Sequence, residues 1–215
     1  MDLNESHVED AALSWLSELD HTIGHGPHIA PGEPDTERDS FADVVLVVRL
    51  RDAIAKLNPK IPADAREDAV RKVLRIGTPS LTRTNRAFQK MLRDGVPVEY
   101  PRTEGSIAGN FVKLIDFNNA DTNDWLAVNQ FTAIEGQNNR RPDIVIFVNG
   151  LPLGLIELKN EADEDTAIWS AYAELQTYKA EIPSLLNYNA VQVVSDWTTK
   201  DGNTLKDLQE AAAKS

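Results

Sequence analysis

Apolar positions along this chain change their period part-way. Near the N-terminus, Val8, Ala11, Ala12, Trp15, Leu16 and Leu19 recur at helical spacing. Ser6 followed by Glu9 has the form of a capping box and predicts a helix start there. Residues 24–40 are rich in Gly, Pro and charge and predict a loop. In residues 41–58, FADVVLVVRLRDAIAKLN, the valines favour strand, but the length and the later spacing favour helix, which is the expectation. Two amphipathic helices follow, Ala65–Ile76 ended by Gly77 and Ser80–Arg93 ended by Gly95.

From Val96 the pattern is that of strands: VPVEY, FVKLIDF, WLAVNQFTAI, DIVIFV and LGLIELK, with Asn, Asp and Gly in the turns between them. Thr166–Glu181 returns to helix, with Trp169, Tyr172, Leu175 and Tyr178 at steps of three; Trp169, Tyr172 and Tyr178 are expected to pack in the core, with base stacking as the lesser alternative. Ala190–Val194 predicts a last short strand. The fold class is therefore α/β, a mixed central β-sheet flanked by helices behind a helical N-terminal half. Residues 1–197 form the expected domain, and 198–215 are a polar tail or the start of a linker.

The bulk properties narrow the function. At 215 residues and 41% apolar, the chain can bury one substantial core. With no cysteine there is no disulfide, thiolate metal site or cysteine nucleophile, which fits a cytoplasmic protein. The longest apolar run, Val44–Val48, is far below the roughly 20 residues of a membrane helix, so no membrane partner is expected. A formal charge of −12 weighs against a domain that grips nucleic acid by its overall field. It leaves room for a nuclease, whose site is itself acidic.

The chemistry concentrates on RPDIVIFVNGLPLGLIELKN. Asn149-Gly150 signals a turn, and Pro152 suggests a loop longer than two residues. With a five-residue loop, Val148 to Pro152, Phe147 pairs with Leu153 and Asp143 with Glu157. Directly opposed residues share a sheet face, and the strand period of two adds Lys159 to it. A register shifted by one would separate them. Two adjacent carboxylates repel unless a cation lies between them or one is protonated. A hard ion such as Mg²⁺ suits such oxygen ligands, could polarise a phosphodiester and could activate water. Lys159 would orient that water or stabilise charge on the phosphate. The competing reading is a strand end emerging into solvent, with Glu157 and Lys159 as an ordinary surface pair.

The longer text RRPDIVIFVNGLPLGLIELKN resembles the N-terminal nuclease region of the R (restriction) subunit of type I restriction-modification enzymes. So do VEDAALSWL, RLRDAIAKLNP, LIDFNNADTNDWLAVNQF, AYAELQTYKAEIP and VVSD, in the same order, over roughly residues 5–197. The resemblance implies a PD-(D/E)xK restriction-endonuclease-like core in which Asp143, Glu157 and Lys159 are catalytic. Asp143 and Glu157 would bind Mg²⁺ and cut DNA. It further implies a Gln-x-x-x-Tyr motif on the next helix. Tyr178 matches its Tyr, but Glu174 stands at the Gln position and adds negative charge near phosphate. The implied partners are DNA, the specificity and methylation subunits, and an ATP-driven translocase motor in the full-length subunit. No Gly-x-x-x-x-Gly-Lys-Ser/Thr motif occurs here, so ATP is not expected to bind this segment, and a fragment or a product that stops before the motor is the expectation.

Other candidates carry less. Glu9 is a further candidate metal ligand, against its simpler reading as the capping-box partner of Ser6. Arg140 and Arg141 could meet a phosphate. Arg83, Arg86, Lys90 and Arg93 recur along one predicted helix, where a solvated face competes with a DNA-backbone stripe. His7, His21, His25 and His28 lack metal-site spacing and read as solvated, with a zinc site as the lesser alternative. A rival reading of the whole chain is a non-catalytic interaction module that docks on partner subunits.

Overall fold

The computed structural model describes residues 5–77, 80–102, 105–159 and 167–195. Residues 198–215, expected as a tail, lie outside these. Among the described residues the α-helices are α1 (Glu5–Glu18), α2 (Val47–Leu57), α3 (Ala63–Leu74), α4 (Leu81–Asp94), α5 (Ala167–Glu181) and α6 (Pro183–Leu186). The strands among the described residues are β1 (Thr22–His25), β2 (Val96–Pro101), β3 (Ile107–Val112), β4 (Trp125–Asn129), β5 (Ala133–Glu135), β6 (Asn138–Arg140), β7 (Ile144–Val148), β8 (Leu151–Leu158) and β9 (Val191–Ser195).

The central sheet has five strands in the order β1-β4-β7-β8-β9. The two outer pairs, β1 with β4 and β8 with β9, are parallel; the inner pairs are antiparallel. Two short hairpins, β2–β3 and β5–β6, stand apart from it. Alternation along each strand divides the core. Ala127, Ile144 and Leu158 face α1, which buries Val8, Ala12 and Leu16 against them. Leu126, Val128, Val145, Phe147 and Leu155 face the larger core, which takes in α2 to α6. The expected mixed α/β architecture is the observed one, and no helix among the described residues is long and apolar enough to cross a membrane.

Several local expectations give way. Residues 24 and 25 belong to β1, not to a loop, because parallel pairing with β4 at the sheet edge takes up their backbone. The helix expected over 41–58 begins only at Val47. Val44, Val45 and Leu46 are buried as irregular chain, and the Leu46 N–H is spent on the Gly150 carbonyl at 2.9 Å. The strand expected over 111–117 lies instead at Ile107–Val112; beyond it the backbone of Lys113 bonds the Asn58 side chain in both directions. The run 125–134 breaks at Gln130, whose φ of 56° no strand tolerates. Ala133–Glu135 then pairs with β6. On α5, Trp169 (72% exposed) and Tyr172 (50%) are on the surface, while Ala171, Leu175 and Tyr178 are buried. Steps of three drift about 60° backwards each around a helix, so the first two aromatics rotate off the core face.

The β7–β8 turn is shorter than the proline suggested. Asn149 (φ 54°) and Gly150 (φ 78°) alone make it, and Val148 pairs with Leu151. A β-bulge between Ile146 and Phe147 then absorbs Leu153, so Val145 faces Leu155 and Ile144 faces Ile156. A tight turn plus one extra residue restores the register that a five-residue loop would have given. Continuing it outward sets Asp143 opposite Glu157.

Candidate active site

One end of the sheet gathers the polar residues. It holds the last residues of β1, β4, β8 and β9 and the residue before β7. Asp143 and Glu157 face each other there. Asp143 Oδ2 accepts the Leu158 N–H at 2.8 Å, and a longer contact of 3.4 Å runs from the Asp143 N–H to Glu157 Oε1. The Asp143 carbonyl accepts the Gln130 N–H at 3.1 Å. Glu157 is 1% exposed although its strand neighbours Leu155 and Leu158 are core residues. A buried strand end emerging into solvent, with Glu157 as an ordinary surface carboxylate, is therefore not what these residues form.

The electrostatics follow from that burial. Burial and then the Asp143 charge push the Glu157 carboxyl up to about 8. The Tyr178 hydroxyl, from α5, donates to Glu157 and opposes the rise, while Glu174 adds to it. Tyr178 itself is held well above the ordinary phenol range by burial and by Glu157. Lys159 Nζ lies 2.7 Å from Glu174 Oε2. Burial would lower the Lys159 pKa, but Glu174, Asp143 and Glu157 together raise it, so the side chain is an ammonium at neutral pH. Glu174 thus occupies the Gln position of the expected motif as the ion-pair partner of the lysine.

Glu9 does something other than capping. Ser6 lies inside α1, and both Glu9 oxygens accept side-chain amides, from Asn129 Nδ2 at 2.6 Å and Gln130 Nε2 at 2.8 Å. Asn129 in turn pairs with His25 Nδ1 at 2.8 Å, and His25 stacks edge-on against His28. These residues adjoin the site through Gln130, and no periodicity or motif marks Asn129, Gln130 or His25 in the sequence. Their signal is tertiary. Arg140 bonds the Glu181 carboxylate on α5, which engages it within the fold, whereas Arg141 is exposed.

Among the described residues no group of three or more His, Cys, Asp or Glu is disposed to hold a metal. Two facing carboxylates remain, one buried and disfavoured as an anion. That donor set, oxygen-only, fits a hard divalent ion that keeps several waters, and not zinc.

The profile of the family described as type I restriction enzyme R protein N terminus matches residues 2–200. The chain belongs to that family. It is 37% identical over 195 residues to the type I restriction enzyme HindI endonuclease subunit of Haemophilus influenzae, covering 90% of this chain and 18% of that one. It is 35% identical over 210 residues to a putative type I restriction enzyme MjaIXP endonuclease subunit of Methanocaldococcus jannaschii, covering 95% of this chain and 20% of the relative. The chain thus spans about one fifth of the length of these relatives.

Proposed function

We propose that this R-subunit N-terminal chain is a PD-(D/E)xK nuclease domain that hydrolyses DNA phosphodiester bonds with Mg²⁺. The observation that carries the reading is the facing pair of half-buried Asp143 and buried Glu157 beside the Lys159 ammonium. Asp143 and Glu157 would hold the ion, which supplies Lewis acidity toward a phosphoryl oxygen and a water of lowered pKa. The Leu158 N–H fixes the Asp143 carboxylate. Tyr178 orients the Glu157 carboxyl through its hydroxyl. Lys159, being charged, acts as donor to the phosphate or the attacking water and not as a general base. Glu174 sets the direction of Lys159. Arg141 is free to meet a flanking phosphate. Glu9 holds the strand end behind Asp143 and is not needed as a ligand.

The names of the relatives support a place in a multi-subunit type I restriction enzyme; its specificity and methylation subunits and the ATP-driven motor of the longer subunit are the partners that go with this reading. A plasmid-nicking assay with Mg²⁺ tests the site. Wild type should nick, and Asp143→Ala and Lys159→Ala should each lose activity by 100-fold or more, an order of magnitude expected of an essential transition-state contact. Nicking that persists in both variants rules out the site. The rival reading, an interaction module without activity, predicts no nicking by any form and tight association with partner subunits.

A further inference from the structure

We propose that the outer face of α4, centred on Arg83, Arg86 and Lys90, is a docking surface for the backbone of duplex DNA. The proposal rests on the reading of this chain as one that acts on DNA. Residues 69–93 contain seven Lys or Arg and no Asp or Glu, in a chain whose formal charge is −12. Solvated helix faces ordinarily mix signs, because opposite charges at i,i+4 stabilise and like charges destabilise. On α4 the first acidic residue is Asp94, at its end. Arg83, Arg86, Lys90 and Arg93 fall within an arc of about 80° on the helix. They are all exposed, opposite the buried Thr84, Phe88 and Leu92. Arg93 is paired with Asp94, but Arg83, Arg86 and Lys90 make no ion pair among the described residues. On α3, Asp68 partly neutralises Arg71 and Lys72, while Arg75 adds a further exposed cation. Asp94 also lies close enough to Lys90 to act on it electrostatically, so among the described residues the unanswered charge of α4 centres on Arg83 and Arg86.

Spacing and placement fit the partner. Arg83 to Arg93 spans about 15 Å of helix, the axial length of about four phosphates on one strand at roughly 3.4 Å each. The helix is anchored: the Asn85 amide donates to the carbonyls of Leu186, Asn187 and Asn189. Its first turn lines a cleft of about 460 Å³ through Thr82 and Asn85, together with Lys179 of α5 and Gln192 of β9. Lys179 follows Tyr178, and Gln192 lies two residues before Val194, which pairs with Glu157. Because exposed charges are screened beyond about 10 Å, a local basic face can bind phosphate on a protein whose overall field repels it.

The test is fluorescence anisotropy of the whole chain with a short labelled duplex in EDTA, over about 50 to 200 mM salt. Arg83→Gln/Arg86→Gln is compared with Lys60→Gln/Lys113→Gln, which removes the same charge from exposed positions outside the stretch. The α4 variant should bind about ten-fold more weakly, with a salt slope shallower by about 0.9 for each lost contact, while the control stays near wild type. Equal weakening in both variants, an unchanged α4 variant, or no binding by wild type overturns the proposal. EDTA suppresses cleavage, so this result is independent of whether Asp143 and Lys159 support nicking.

Discussion

The carboxylate of Asp143 accepts the backbone N–H of Leu158 at 2.8 Å, across the strand pair that carries both residues. This bond ties a side chain from just before β7 to the backbone between Glu157 and Lys159. Any change in the β7–β8 register would break it, so the conformation of a turn at the far end of the hairpin bears directly on the site.

That turn should be intolerant of a side chain. A Cβ at Gly150 would lie 2.3 Å from the Leu46 carbonyl oxygen and 2.9 Å from the Leu50 nitrogen, at a φ of +78°. Gly150→Ala is expected to destabilise the domain by about 3 kcal/mol through combined strain and overpacking. Urea denaturation would measure it; a loss of a few tenths would show that the turn relaxes at no cost.

The metal-free domain should lose stability as pH rises. Glu157 moves from 4.5 to about 8 on folding. Between those values the folded chain keeps a proton that the unfolded chain has released, so the stabilisation of the protonated form is present below about 4.5 and lost as pH climbs through about 8. A fall in Tm of roughly 5 °C or more across that window is expected. Glu157→Gln should flatten the profile, and added Mg²⁺ should lift the wild-type Tm most at the alkaline end. A wild-type profile identical to that of Glu157→Gln would contradict the burial argument.

Glu174 should tune Glu157. Its charge and its hydrogen bond both raise the Glu157 pKa. In Glu174→Gln the Glu157 midpoint should move to lower pH, as a ¹³C carboxyl titration would show. Global stability should change by less than about 1 kcal/mol, since the Lys159–Glu174 pair is partly exposed and solvent-screened. A midpoint that stays in place would remove Glu174 from the electrostatics of the site.

Glu9 should act through Gln130. A left-handed conformation at a residue other than glycine costs about 1 kcal/mol or more, and the Glu9 bond to the Gln130 amide helps to hold it there. Glu9→Ala should speed hydrogen exchange at the Gln130 amide, which otherwise bonds the Asp143 carbonyl. Gln130→Gly, which adopts that conformation without strain, should recover part of the lost stability in the double variant. No recovery would show that Glu9 serves another end, such as a ligand.

Much of this arrangement was legible along the chain. The boundaries of α3 and α4 follow from local signals, an amphipathic stripe and a stop such as Gly95, whose φ is +85°. The identity of Asp143, Glu157 and Lys159 as one group followed from strand alternation, which depends only on parity. The parity was right although the loop was not: the two-residue turn and the bulge at Leu153 together equal the longer loop in count. The sequence by itself therefore determined α1, α3, α4 and α5 to within a few residues, the hairpin and the shared face of three polar side chains, because these rest on interactions between near neighbours. Only the tertiary structure decided that His25 lies on an edge strand, that Gln130 breaks the run through β4, that Trp169 and Tyr172 turn outward, and that Glu9 grips Asn129 and Gln130. Each of these depends on a partner far away in the chain, whose position follows from closure of the sheet and packing of the core.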